Sequence, residues 1–282
     1  MKRKYVILPV LVGVLIVWYT READTSAVPA SPATPVDTGA ATTEIFAEVD
    51  PTHCPADLKI PARLYDREEQ IIRHTGFTLS YNDAWRIPNW VGYVLTRDEL
   101  DGNEERSNKF VPDPLVVGVE THTKDYSHSG YDRGHMAPAA DMKWSAKAMR
   151  ESFYLSNICP QLHNLNAGDW KELEDCGRNW ARQDGAVVIV CGPVVGKKPA
   201  RIGANKIAVP DAFFKVILSP IVNPMRAIGF VMPQQKGNRP LRSYALTVDS
   251  VESLTGIDFF TALPDDVEQQ LESTLDLSAW GL

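Results

Sequence analysis

Apolar and polar residues alternate over 77–81 and 90–96, the period of two that half-buried strands show. Three apolar runs, 186–191, 212–218 and 227–232, are short, bounded by Gly or Pro and rich in Val, Ile and Phe, which predicts fully buried strands. Further strands are expected at 154–158 and 243–248. Helical spacing marks 145–153, with Ser145 as its cap, and 169–183, with Trp170, Leu173 and Trp180 facing inward and Gly185 as the stop. A short helix capped by Thr96 and a closing helix over 265–273 complete the pattern, and the polar, Pro-marked 101–113 predicts a surface loop. Strands joined by short turns and interrupted by helices give an α+β fold, a mainly antiparallel central sheet flanked by helices, not a doubly wound one.

The chain's first 50 residues follow a different pattern. Residues 1–4 are basic and 5–19 are apolar and uncharged, the layout of an export signal, although the run is short for a membrane span. A cleaved signal peptide and an uncleaved membrane anchor over 1–20 are equally open. Both place the following domain outside the cytoplasm, in the periplasm or secreted. Residues 21–50, rich in Ala, Pro and Thr, predict a disordered tether, leaving 51–282 as one globular domain with enough apolar content for a sizeable core.

The net charge of the chain is −7, and removing the +3 of Lys2, Arg3 and Lys4 leaves −10. That sign excludes a chromatin-type protein gripping nucleic acid over a broad surface, but not an enzyme with a local cationic cleft that must release its product. Four cysteines, Cys54, Cys159, Cys176 and Cys191, would favour disulfides in an oxidising compartment, with three pairings open. A zinc site from Cys159, His163 and Cys176 lacks an obvious fourth ligand.

Asp132-Arg133-Gly134-His135 gathers an acid, a guanidinium and an imidazole around a glycine that permits a tight bend. Histidine suits general-base work near neutral pH and arginine suits phosphate. Alone, the four residues fit a structural turn as well. The next cluster changes the balance. Trp170, Glu174 and Arg178 are spaced four apart on one helix face, and Asn166 lies just ahead of it. A neutral oxygen ligand, a carboxylate and a cation in a row suit a hard cation beside a phosphate. The plainer alternative is an exposed Glu174–Arg178 ion pair with Asn166 as a helix cap.

Taken in order, Asp132-Arg133-Gly134-His135, Ser156-Asn157, Pro160-Gln161, Leu165-Asn166, Trp170, Leu173-Glu174 and Arg178, with Gly192-Pro193 and Leu263-Pro264-Asp265-Asp266-Val267 further on, resemble the DNA/RNA non-specific endonuclease family. The likeness runs from Phe77 to Ser273. It implies a ββα-metal finger within the 51–282 domain and a sugar-non-specific endonuclease acting on DNA and RNA to leave 5′-phosphate ends. By the same resemblance, His135 is the general base. Asn166 is the direct ligand of one Mg²⁺, with Mn²⁺ as an alternative. Glu174 holds metal-bound water, Arg133, Arg178 and Arg106 serve the phosphate, and Asn157 supports the histidine. The competing expectation is a catalytically weakened member that binds nucleic acid or a partner. The family also leaves room for a homodimer and an inhibitor protein. Because the motif brings their segments together, Cys159 and Cys176 are the expected disulfide.

Overall fold

The apolar runs pair with one another to make the frame of the molecule. The computed structural model describes residues 56–235 and 237–282; the basic head, the apolar run, the tether and Cys54 lie outside the described residues. In chain order come β1 (Gln70–Arg73), β2 (Thr78–Asn82), β3 (Ile87–Thr96), β4 (Asp132–His135), α1 (Ala146–Glu151), β5 (Ile158–Gln161), α2 (Trp170–Asp184) and β6 (Ala186–Val194). They are followed by β7 (Arg201–Ile202), β8 (Ile207–Ala208), β9 (Ala212–Ser219), β10 (Arg226–Pro233), β11 (Ala245–Leu246), α3 (Val248–Thr255) and α4 (Asp265–Ser273).

Among the described residues, seven strands form an antiparallel sheet in the order β1-β2-β3-β6-β9-β10-β11, while β4 pairs with β5 and β7 with β8. The fold is therefore α+β with an antiparallel centre, as the pattern predicts. Side chains alternate across the central strands and build a core on each face. Val187, Ile189, Phe213 and Ile217 meet Trp170, Leu173 and Trp180 of α2 on one face. On the other, Val188, Val190, Phe214 and Val216 pack with Val248 and Val251 of α3 and with Val267 and Leu271 of α4.

Local signals explain most boundaries. The Ser145 side chain accepts from the Ala148 amide and opens α1. Gly185 ends α2 at φ 96°, a conformation that favours glycine. Thr96 and Glu99 cap each other reciprocally, Glu99 Oε2 accepting from the Thr96 amide and Thr96 Oγ1 from the Glu99 amide. Two expectations fail. Residues 155–157 form a 3₁₀ turn, so the strand begins at Ile158. The 243–248 segment contains only the two-residue β11, because Thr247 accepts from the Ser250 amide and starts α3 at Val248.

The expected Cys159–Cys176 disulfide is corrected: Cys159, Cys176 and Cys191 are all free thiols. β5 turns Cys159 into the core, while Cys176 sits half-buried on α2. The Cys191 thiol donates to the Met136 carbonyl at 3.2 Å.

Candidate active site

The β4–β5 ribbon leads directly into α2, a β-β-α succession in which Asp132 faces Gln161 and His135 faces Ile158. The glycine of the motif lies inside β4, not at a bend. Its hydrogen is needed because a Cβ there would stand 2.3 Å from Gln161 Oε1. Strand alternation puts Arg133 and His135 on one face of the ribbon. Both meet Phe110: the Arg133 guanidinium is 4.4 Å from its ring centre and the His135 ring 5.4 Å.

His135 is 8% exposed and meets Phe153 edge-on at 4.9 Å. Its carbonyl accepts from the Trp170 indole at 3.3 Å, which fixes the strand end against α2. Its Nε2 is buried with no hydrogen-bond partner. Burial first, then the charges of Arg106 and Arg133, lower its pKa to about 3, so the imidazole is neutral at pH 7. Arg106 lies 5.0 Å over Phe153, so the two loop-and-strand arginines flank the histidine through its aromatic neighbours.

Asn157 is completely buried and fully engaged. Its Oδ1 accepts from the Ala137 amide at 2.9 Å, and its Nδ2 donates to the carbonyls of Ala137 and Ser152. Both polar atoms of its side chain are engaged, and they fix the chain just beyond His135. Asn166 occupies a wide helical turn, Leu165–Asp169, immediately before α2. Its Nδ2 donates to Asp132 Oδ2 at 3.0 Å, and His163 Nδ1 lies 2.9 Å from the same oxygen. The amide is thereby oriented with Oδ1 turned away from Asp132. Asn166 lines a cavity of about 360 Å³ with Asp132, Arg133, Phe110, Tyr126 and Tyr131.

Further along α2 the charges form a partly buried network. Arg178 pairs with Asp141 at 2.6 Å and with Asp175, and the Tyr93 hydroxyl donates to Asp141 at 2.9 Å. The structure thus commits Arg178 to two carboxylates where a phosphate contact was expected, and its partner is not Glu174. Glu174 itself is half-buried, and burial raises its carboxyl to about 7. Lys215 and Arg178 pull against that rise, while Asp141 and Asp175 add to it.

Lys215 is the residue that sequence reasoning missed. It sits on β9 as the direct cross-strand partner of Cys191, on the face covered by α2. It is 1% exposed, and its Nζ lies 4.4 Å over the Trp170 ring with no hydrogen-bond partner. A lone lysine within the apolar run 212–218 was the available signal, because lysine is almost never fully buried without a reason. Asp132 was visible as a motif letter, but its hold on Asn166 was not.

This unit, a two-stranded ribbon feeding a helix beside a neutral histidine and an oriented asparagine, is the ββα arrangement of metal-dependent nucleases. The chain belongs to the DNA/RNA non-specific endonuclease family, whose model matches residues 55–266. It is 39% identical over 207 residues to the mitochondrial nuclease EXOG of Danio rerio, a match covering 67% of this chain and 60% of that relative's length. It is 34% identical over 226 residues to the mitochondrial nuclease 1 of Schizosaccharomyces pombe, covering 72% of this chain and 69% of the relative. Among solved structures, the EndoG/EndoGI complex matches with a TM-score of 0.66 at 31% identity, over 71% of this chain and 89% of that one.

These relatives correct the expected localisation. The EXOG and nuclease 1 relatives are mitochondrial nucleases, which overturns the periplasmic or secreted, membrane-tethered placement drawn from residues 1–19. A basic head before an apolar run is a coarse pattern that does not by itself specify the compartment. The segment lies outside the described residues, and among the described residues no helix is long and apolar enough to cross a membrane. The oxidising compartment assumed for the cysteines goes with it.

Proposed function

We propose that the protein is a Mg²⁺-dependent endonuclease that hydrolyses phosphodiester bonds in DNA and RNA without reading base sequence. The observation that carries this reading is the state of His135: a neutral imidazole whose buried Nε2 has no partner, on a strand anchored by Trp170 and Asn157. An unpartnered ring nitrogen held in place is poised to take a proton from water. A phosphate's negative charge nearby would raise its proton affinity toward the working range.

The donor set fits a weakly held hard cation. Asn166 Oδ1 is oriented by the Asp132 contact, and Glu174 supplies a carboxylate able to hold a hydrating water. Mn²⁺ is the natural substitute for Mg²⁺ at such an oxygen site. When bound, the cation adds positive charge against that developing on the phosphate and its leaving oxygen. Arg133 and Arg106, exposed and flanking the histidine, are placed to grip phosphate oxygens. Arg178, locked onto Asp141, supports the helix that presents Glu174. Contacts confined to phosphate demand neither a particular base nor a 2′-hydroxyl, which supports action on both polymers; 5′-phosphate products are what the family resemblance implies. The EndoG relative was solved bound to EndoGI in a study of its inhibition, so an inhibitor protein is the partner class this reading anticipates.

The test is digestion of supercoiled plasmid and of RNA by the full chain with Mg²⁺, with and without chelator. Both should be degraded only with metal, and His135→Ala should abolish cleavage. Intact substrates with a folded wild-type protein would overturn the reading in favour of a weakened binding member.

A further inference from the structure

Across the sheet from the ββα unit, α3 and α4 bring carboxylates together in a way the nuclease reading does not use. Asp249 and Glu252 stand three apart on one face of α3, and Glu272 meets them from α4; one ligand oxygen from each lies within 4.8 Å of the others. Glu252 Oε1 accepts from the Phe259 amide at 2.8 Å, which fixes its carboxylate. Glu272 is only 5% exposed, and its Oε1 is buried with no hydrogen-bond partner. A buried glutamate with an unsatisfied oxygen, its carboxylate within 4.8 Å of two other acids, is a costly arrangement unless something positive sits among them.

Among the described residues, no ion pair brings a cation to that cluster: none of Asp249, Glu252 and Glu272 takes part in one, nor do their neighbours Asp258 and Glu268. Burial and these mutual repulsions push Glu272 up to about 9 and Glu252 to about 6. The surroundings are apolar: Val248, Val251, Val267 and Leu271 on the same two helices. The spacing also suits one ion, since oxygens on opposite sides of a single Ca²⁺ stand about 4.6–5.2 Å apart.

We infer that Asp249, Glu252 and Glu272 form a divalent-cation site, of a size suited to Ca²⁺, that clamps α3 to α4 on the face opposite the candidate active site. Its role is structural: it joins the two helices that cover the second core. With three carboxylates and one exposed side, the affinity belongs in the range of roughly 10 µM to 1 mM. The competing way to relieve the charge is a proton shared between Glu252 and Glu272.

The experiment is thermal unfolding of the chelated full chain at pH 8 with and without 1 mM CaCl2, in wild type, Asn166→Ala and Glu272→Gln. Asn166→Ala removes the proposed ligand of the active site and separates the two sites. The clamp predicts a rise of roughly 1–10 °C, set by where the affinity falls in that range, in wild type and in Asn166→Ala, and none in Glu272→Gln. No rise in Asn166→Ala, or an equal rise in Glu272→Gln, would overturn the site in favour of the shared proton. Should Glu272→Gln not fold, Asp249→Asn at the exposed end of the cluster gives the same reading, with a Ca²⁺ midpoint shifted at least threefold expected and an unchanged midpoint fatal. Plasmid cleavage enters none of these readouts, so failure of the nuclease reading would leave the outcome intact.

Discussion

Asn166 Nδ2 donates to Asp132 Oδ2 at 3.0 Å, so the turn that opens α2 is tied to the first residue of β4, three positions from His135. A carboxylate cannot donate, so this contact decides which end of the Asn166 amide faces Asp132 and leaves Oδ1 for a cation. Asp132→Ala frees the amide to rotate and should raise the Mg²⁺ concentration for half-maximal cleavage by about tenfold. Asn166→Ala should raise it further. Titrating Mg²⁺ against plasmid nicking checks both, and a wild-type curve from Asp132→Ala would show that the contact does not orient a ligand.

Asn157 makes three buried hydrogen bonds, two of them to Ala137, and its own carbonyl accepts from the Met136 amide. Removing its side chain leaves an amide and two carbonyls without partners in the interior. Asn157→Ala should therefore cost about 2–4 kcal/mol of stability, measured by urea unfolding. Asn157→Asp should cost a similar amount, since it turns a donor into a second acceptor facing two carbonyls. A loss of activity with stability unchanged would instead mark Asn157 as a ligand-touching residue.

The Lys215 ammonium lies over Trp170 and acts electrostatically on Glu174, which it draws down from a value raised by burial. Replacing it with Met keeps the shape and removes the charge, so the Glu174 carboxyl should rise above about 7 and be more protonated at neutral pH. Cleavage at pH 7 should fall roughly tenfold or more, and the acid limb of the pH–rate profile should move to higher pH. Lys215→Arg should restore part of the rate. Because the amine has no hydrogen-bond partner, Lys215→Met should not lower the melting temperature. A uniform loss of rate at every pH, with lowered stability, would reduce Lys215 to packing.

Much of this was readable from the chain where a pattern was long enough. The runs that became β6, β9 and β10 announce themselves because both faces of the sheet are covered and every position is apolar or nearly so. α2 is legible from its inward aromatics and its Gly185 stop. β1 was not, because Gln70–Arg73 is four residues long with a single buried position. Residues 155–157 read as strand with Ile158, but the Asn157 side chain bonds backbone where a strand would need a partner, and the segment turns. At the site, the local motif gives His135, Arg133 and Asn166. Asp141 and Lys215 come from a turn and a strand far away in sequence, and only tertiary packing brings them to α2.

The depressed proton affinity of His135 has a consequence for stability as well as chemistry. In the unfolded chain the imidazole takes up a proton below about 6.5; in the folded protein it resists protonation until about 3. Between those values the unfolded state binds more protons, so wild type loses stability as pH falls through this window and recovers it as pH rises. His135→Gln lacks the titration, and its stability relative to wild type should improve as pH drops from 7 to 5, by about 1–2 kcal/mol. Urea unfolding of both proteins in chelator at pH 7, 6 and 5 measures the difference directly. A constant difference across the series would mean that His135 titrates normally in the fold and that its ring is open to solvent.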